Sequence, residues 1–302
     1  MWDVHNASPI GKSFRGHSSL VSSVIYSPLH NLIASGSWDK TIRLWDTNKS
    51  QQWGVPLKGD YPLHSIAFSP DARLIASGSG GTYTGPRGNY VQLWDVQKRK
   101  VASVPLKGHT CPVMSVSFSP NGAQVVSGSE DCTIRIWDIE KEKTIIGPLE
   151  DHTGWVRSTA FSPNGTQIVS CSYDRTLRLW DVRNEEMIGD PYKGHTDDIY
   201  SVAFSPCGTY IASGGKDKTV RLWDIGTGRQ VNQPFKEYTS HVNSVAFSPC
   251  GQYIACGFIN RKVVIRKVSG EDDELDNGRG PEPEVVTSEM VQYDCVLGYH
   301  SI

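Results

Sequence analysis

The side chains with the most chemical potential in this 302-residue chain are histidine, serine and aspartate, and they recur together at fixed offsets. His17, Ser35 and Asp39 are followed by His109, Ser127 and Asp131, then by His152, Ser170 and Asp174, then by His195, Ser213 and Asp217. A hydroxyl, an imidazole and a carboxylate are the parts of a nucleophilic hydrolase centre. The pattern speaks against that use. Each set closes on a tryptophan six residues after the aspartate, at Trp45, Trp137, Trp180 and Trp223, and none of the serines lies in a Gly-x-Ser-x-Gly nucleophile turn. Four identical nucleophiles are also more than one active site needs. The four residue types suit one another instead: tryptophan donates one N–H, serine and histidine each donate and accept, and an ionised aspartate accepts twice. No enzymatic activity, catalytic residue or cofactor is expected. The seven cysteines lack any CxxC or paired Cys/His spacing, so neither a disulfide framework nor a metal site is expected either.

The elements that must position these residues repeat with them. In register, Trp-Asp recurs at Trp2, Trp45, Trp94, Trp137, Trp180 and Trp223, and the next step lands on Arg266. The intervals are 43 residues except for one of 49, between Trp45 and Trp94. Three apolar runs precede each full step, as in VMSVSFSP, QVVSGS and TIRIWD of the unit ending at Asp138. Their short length, Val/Ile/aromatic content and flanking turn residues are strand chemistry. Asn121-Gly122 and Asn164-Gly165 suit hairpin turns that need positive φ. A fourth run, at residues 145–149 or 231–235, completes four antiparallel strands per period. Such a sheet cannot bury both faces alone, so neighbouring units must stack.

With Gly-His near the start of a unit, as at Gly16-His17, Gly108-His109 and Gly194-His195, and Trp-Asp at its end, the repeat of residues 1–268 resembles that of the WD-repeat β-propeller family. The resemblance implies an all-β propeller of four-stranded antiparallel blades around a channel, with six clear units and a possible seventh partial blade. It also implies that the His-Ser-Asp-Trp tetrads are structural, tying each inter-blade loop to the turn between the second and third strands. Two units depart from the pattern. In the second, Asp60 falls near the histidine position, Ser77 is kept, and the aspartate is lost in an insertion. In the last, Tyr238, Cys256, Asn260 and Arg266 stand at the four positions. These two blades are expected to be the weakest, with the sixth the place where the ring closes or opens.

In the family resembled, residues three and five after the tetrad histidine, and the one before the tetrad aspartate, gather at one end of the channel. Here that rule selects Trp38, His64, Met114, Glu130, Trp155, Arg157, Tyr173, Asp198, Tyr200 and Lys216 as candidate partner contacts. Aromatic residues, methionine and arginine are the types enriched at interaction hot spots. The insertion at residues 79–89 adds Tyr83 and Arg87 as possible contact groups. The resemblance thus implies a non-catalytic scaffold that binds a protein or peptide on this top face. Two alternatives stand beside it. The near-identical units VAFSPCGTYIASG and VAFSPCGQYIACG resemble the repeat arrays of fungal NACHT-type receptors, where such a segment senses ligands for a larger signalling protein. The aromatic face and acidic tail suggest a histone-tail or chromatin reader.

Composition bounds these readings. With 21% charged and 38% hydrophobic residues and a net charge of −2, the chain reads as globular, with no small-molecule substrate implied. No 18-residue apolar run exists, so no membrane span or membrane partner is expected. The first residues lack the basic start and apolar core of a secretory signal, which points to the cytoplasm or nucleus. Near-neutral charge argues against nucleic acid as a partner. The charge is uneven, however. Residues 269–302 carry nine acids against Arg279 alone, net −8, and read as an acidic tail, a linker or part of a blade, whereas residues 1–268 hold 29 Lys and Arg against 23 acids, net +6.

Overall fold

The computed structural model describes residues 2–3, 8–9, 13–81, 88–236, 238–268 and 284–286. Among them there is no helix, and the strands fall into six antiparallel blades and a separate two-stranded sheet, Trp2–Asp3 with Ser8–Pro9. Blade one is Val21–Tyr26, Leu32–Ser37, Thr41–Asp46 and an outer strand split into Gln51–Gln52 and Leu57–Lys58. Blade two is Leu63–Phe68, Leu74–Ser79, Tyr90–Asp95 and, again split, Lys100–Val101 and Leu106–Lys107. Blades three and four are Val113–Phe118, Gln124–Ser129, Ile134–Asp138, Lys143–Leu149 and Val156–Phe161, Gln167–Ser172, Thr176–Asp181, Tyr192–Lys193. Blade five is Ile199–Phe204, Tyr210–Gly215, Val220–Asp224 and Arg229–Phe235. Blade six is Val242–Phe247, Tyr253–Phe258, Val263–Lys267 and Glu284–Val286. The fold is the six-bladed β-propeller that the repeat implies.

The core consists of five apolar clusters, and each is shared between successive blades. The first joins Ala34, Ile42 and Leu44 of blade one to Ile66, Ile75 and Trp94 of blade two, and the fifth joins Ala212 and Leu222 of blade five to Val245, Ile254 and Cys256 of blade six. Second strands are sandwiched between a blade's own layer and the next. Val125, Val126, Ile168, Val169, Ile211 and Ala212 are accordingly all fully buried. No such cluster joins blade six to blade one among the described residues.

Three details refine the expectations from sequence. The Ser-Pro-x-Gly loops are five residues long, and only the glycine is left-handed (Gly122 φ 72°, Gly165 φ 73°), so Asn121 and Asn164 need no positive φ. Their role is to accept the hydroxyl of Ser119 and of Ser162, at 2.7 Å in both loops. The outer strand of blade six comes from the acidic tail, with Val263 opposite Val286. Ser8–Pro9 pairs with Trp2–Asp3. Finally, the first strand of every blade starts with a β-bulge, between Val21 and Ser23, Leu63 and Ser65, Val113 and Ser115, Val156 and Ser158, Ile199 and Ser201, and Val242 and Ser244.

Candidate partner-binding face

The structure brings all four predicted tetrads together. In blade one, His17 Nδ1 lies 2.8 Å from Asp39 Oδ2 and Nε2 lies 2.7 Å from Ser35 Oγ, which accepts the Trp45 indole N–H at 2.7 Å. The same three bonds run 2.9, 2.8 and 2.8 Å through His109, Asp131, Ser127 and Trp137. They run 2.7, 2.7 and 2.9 Å through His152, Asp174, Ser170 and Trp180. In blade five they are 2.8, 2.7 and 2.8 Å through His195, Asp217, Ser213 and Trp223. The carboxylate can only accept, so the imidazole proton sits on Nδ1 and Nε2 takes the serine proton. Each serine oxygen is thus bonded on both sides, and Ser127, Ser170 and Ser213 are fully buried. The connectivity is that of a hydrolase triad, but each serine is buried and also holds the tryptophan N–H, which is the arrangement of a structural network.

A fifth member of the network is a threonine two residues after each aspartate. Thr41, Thr133, Thr176 and Thr219 donate both hydroxyl and backbone N–H to the carboxylate, at 2.6–2.8 Å and 2.9–3.0 Å. The Asp-x-Thr spacing in the sequence is its visible sign. The residue between them is left-handed (Lys40, Cys132 and Arg175 at φ 68°, Lys218 at 63°), a conformation that costs a non-glycine residue about 1 kcal/mol or more. Burial opposes ionisation of these aspartates, but hydrogen bonds from the threonine, the histidine and the backbone outweigh it and hold Asp39 and Asp217 down at about 2. Asp131 and Asp174 lie well below the ordinary carboxylate range for the same reasons. The glycine of Gly-His is steric: a Cβ on Gly16 would lie 2.7 Å from Arg43 Nη1, and one on Gly194 would lie 2.9 Å from Arg221 Nη1.

The two departing blades solve the problem differently. Trp94 still donates to Ser77 Oγ at 2.8 Å, without histidine or aspartate. In blade six the Arg266 guanidinium stacks over Phe235 at 4.6 Å and Tyr238 at 5.9 Å, and the Tyr238 ring lies 4.7 Å from Phe258.

The tetrads fix the loops that carry the candidate contacts. The residue before each aspartate position donates its backbone N–H across to the inter-blade loop: Trp38 to Leu20 O at 2.8 Å, Glu130 to Pro112 O at 3.0 Å, Tyr173 to Trp155 O at 3.0 Å, Lys216 to Asp198 O at 2.8 Å. The bulges add the other set. A bulge leaves one residue out of the ladder and re-aims it, and the residues so released are Ser22, His64, Met114, Arg157, Tyr200 and Asn243. All lie at one end of the channel.

At that end the rings form a continuous arc over three blades. Trp155 stacks on Tyr173 at 5.2 Å, Tyr173 meets Tyr200 at 5.7 Å, and Tyr200 meets His241 at 6.4 Å. Across the channel Trp38 meets His64 edge-on at 5.8 Å. Trp38 is exposed, whereas Tyr200 is buried and supports the arc from beneath. Met114, Glu130, Arg157 and Asp198 are half-buried. Lys216 Nζ bridges Asp197 at 3.3 Å and Asp198 at 3.4 Å. Burial and then the Arg157 charge push His64 down to about 4, so it is a neutral ring near pH 7. Tyr83 and Arg87 lie outside the described residues. The opposite end is uniform, with a cavity of about 550 Å³ lined by residues such as Phe118, Ser119, Pro120 and their counterparts from every blade.

Comparison with known proteins agrees with this architecture. The repeat described as "WD domain, G-beta repeat" matches residues 8–46, 56–95, 99–138, 143–181, 188–224 and 232–266. The chain belongs to the WD-repeat family. Among curated WD-repeat relatives, it is 39% identical over 62 residues to periodic tryptophan protein 2 of Arabidopsis thaliana, covering 20% of this chain and 7% of that one. It is 40% identical over 57 residues to the small ribosomal subunit protein RACK1 of Caenorhabditis elegans, covering 16% and 18%. It is 37% identical over 76 residues to the ribosome biogenesis protein WDR12 homolog of Oryza sativa subsp. japonica, covering 24% and 17%. The matched stretches span less than a fifth of the length of each of these relatives. No helix among the described residues of this WD-repeat chain is long and apolar enough to cross a membrane.

Proposed function

We propose that this WD-repeat chain is a non-catalytic scaffold that binds a protein or peptide on its top face. The observation that carries the reading is the arc of Trp155, Tyr173, Tyr200 and His241, facing the Trp38–His64 pair across the channel mouth. Stacked rings of few rotatable bonds offer a large contact area at small entropic cost. The tetrads pin the loops beneath them, so the surface is formed before a partner arrives. Relatives named for ribosome biogenesis and for the small ribosomal subunit support an assembly role, with the cytoplasm or nucleus as the setting. The test is affinity capture with mass spectrometry from a lysate of the source cells, comparing the natural chain with the Trp38→Ala/Trp155→Ala/Tyr173→Ala variant. Partner recovery is expected to fall more than tenfold with the circular dichroism unchanged. Equal recovery by the two proteins would overturn the assignment.

A further inference from the structure

Of the six side chains that the first-strand bulges release at the channel mouth, Ser22, His64, Met114, Arg157, Tyr200 and Asn243, only Arg157 is charged at neutral pH. Arginines elsewhere in the fold have local uses. Arg43 donates to Gln52 Oε1, Arg221 donates to Gln230 Oε1, and Arg99 lies over the Trp53 ring at 3.9 Å. The Arg157 guanidinium makes no hydrogen bond, ion pair or ring contact among the described residues.

Its charge is nevertheless felt at His64, two blades round the ring, where it adds to burial in keeping that imidazole neutral. The guanidinium therefore reaches over the channel mouth instead of lying along its own blade. Trp155, two residues back in the chain, stacks on Tyr173 beside it. The other cation of the top face is already matched, since Lys216 Nζ sits 3.3 Å from Asp197 and 3.4 Å from Asp198. Arg157 is thus the cation left for something outside the fold.

The chemistry of that something follows from the surroundings. A half-buried guanidinium walled by neutral rings is partly shielded from water, so a two-pronged bond to an anion is stronger there than on an open surface. One guanidinium matches one negative charge. A phosphoryl group carries nearly two and is recognised by clusters of arginines, and the carboxylates of Glu130, Asp197 and Asp198 on the same face would oppose the second charge. A carboxylate fits this site better than a phosphate.

Building on the top-face reading above, we propose that the partner is a peptide segment that sets one aspartate or glutamate side chain on Arg157 and an apolar or aromatic residue on the neighbouring Trp155–Tyr173 rings. A phage-displayed library of random linear peptides, panned on the full chain, supplies the probe. Clones held by the natural chain are expected to carry an acidic residue at one fixed position beside a large apolar or aromatic one, and clones held by Arg157→Glu a lysine or arginine there. For a synthetic peptide of the first kind, Arg157→Gln in the protein or acid-to-amide replacement in the peptide should each weaken binding about tenfold or more, and the two together no further. Clones that lose binding to the Trp38→Ala/Trp155→Ala/Tyr173→Ala variant but show no acidic position and no response to Arg157→Gln overturn the role of Arg157 and leave the top-face reading standing. Equal binding to that triple variant, or no enriched clone, overturns both. Tighter binding when phosphoserine replaces the acid overturns the carboxylate in favour of a phosphopeptide. Because Arg157 has no partner among the described residues, Arg157→Gln is expected to keep its Tm within about 2 °C of the natural chain. A fall well beyond that assigns the guanidinium to the fold and overturns the proposal.

Discussion

Blades four and six share a strand order and a first-strand bulge, yet their third strands are held by different chemistry. Blade four spends a histidine, a serine, an aspartate and a threonine on one tryptophan, each bonded within 3 Å. Blade six uses a guanidinium lying on aromatic rings. The first arrangement is directional, buried and built around a carboxylate; the second places a cation against aromatic faces without a carboxylate partner at the aspartate position. The family's regular tetrad is therefore a way of making loop position exact, and blade six shows that a blade can form without it.

The largest contrast is expected from truncating the central side chains. Trp180→Ala should cost about 3–5 kcal/mol in denaturant unfolding, through lost packing and the loss of the N–H that Ser170 accepts. Arg266→Ala should cost about 1 kcal/mol, the scale of a partly exposed cation–π contact. If the two losses matched, the distinction between the blades would disappear. Next come the turn residues. Asp174→Ala strands His152 and the Thr176 and Thr153 amides and should cost about 1–3 kcal/mol, whereas Asn260→Ala should stay within about 0.5 kcal/mol.

A smaller difference is expected between Val116→Ala and Val24→Ala. The buried residue should lose about 1.5 kcal/mol at roughly 0.8 kcal/mol per methylene, and the exposed one almost nothing. Acid sharpens the comparison further. The tetrad aspartates titrate lower in the folded chain than in the unfolded one, so their contribution is complete above about pH 4 and is lost as pH falls toward 2. Hydrogen exchange across that window should rise at the loops of blades one, three, four and five before it rises at residues 259–262. His64 acts earlier: its folded value of about 4 lies below the unfolded 6.5, so stability declines as pH falls between those values. His64→Phe should flatten that part of a Tm-against-pH curve.

Much of this was legible in the chain. The 43-residue period, the strand runs and the Trp-Asp ladder give the blades, and the offsets of histidine, serine and aspartate give the network. The threonine of Asp-x-Thr was not read as part of the network, although its spacing stands in the sequence. The bulge was not legible. Ser22, His64, Met114, Arg157, Tyr200 and Asn243 share no side-chain chemistry, because backbone register rather than residue type releases them. Nor could sequence separate Val24 from Val116. Both read as core valines, and their fates diverge because burial belongs to the neighbouring blade.

The five shared clusters make the described body a row of nearest-neighbour couplings with two ends. A row melts differently from a hoop. Opening begins at an end, where one interface is lost, while an inner blade must break two, so free energies of opening climb toward blades three and four. Among the described residues, limited proteolysis is therefore expected to remove the outer blades before blades three and four.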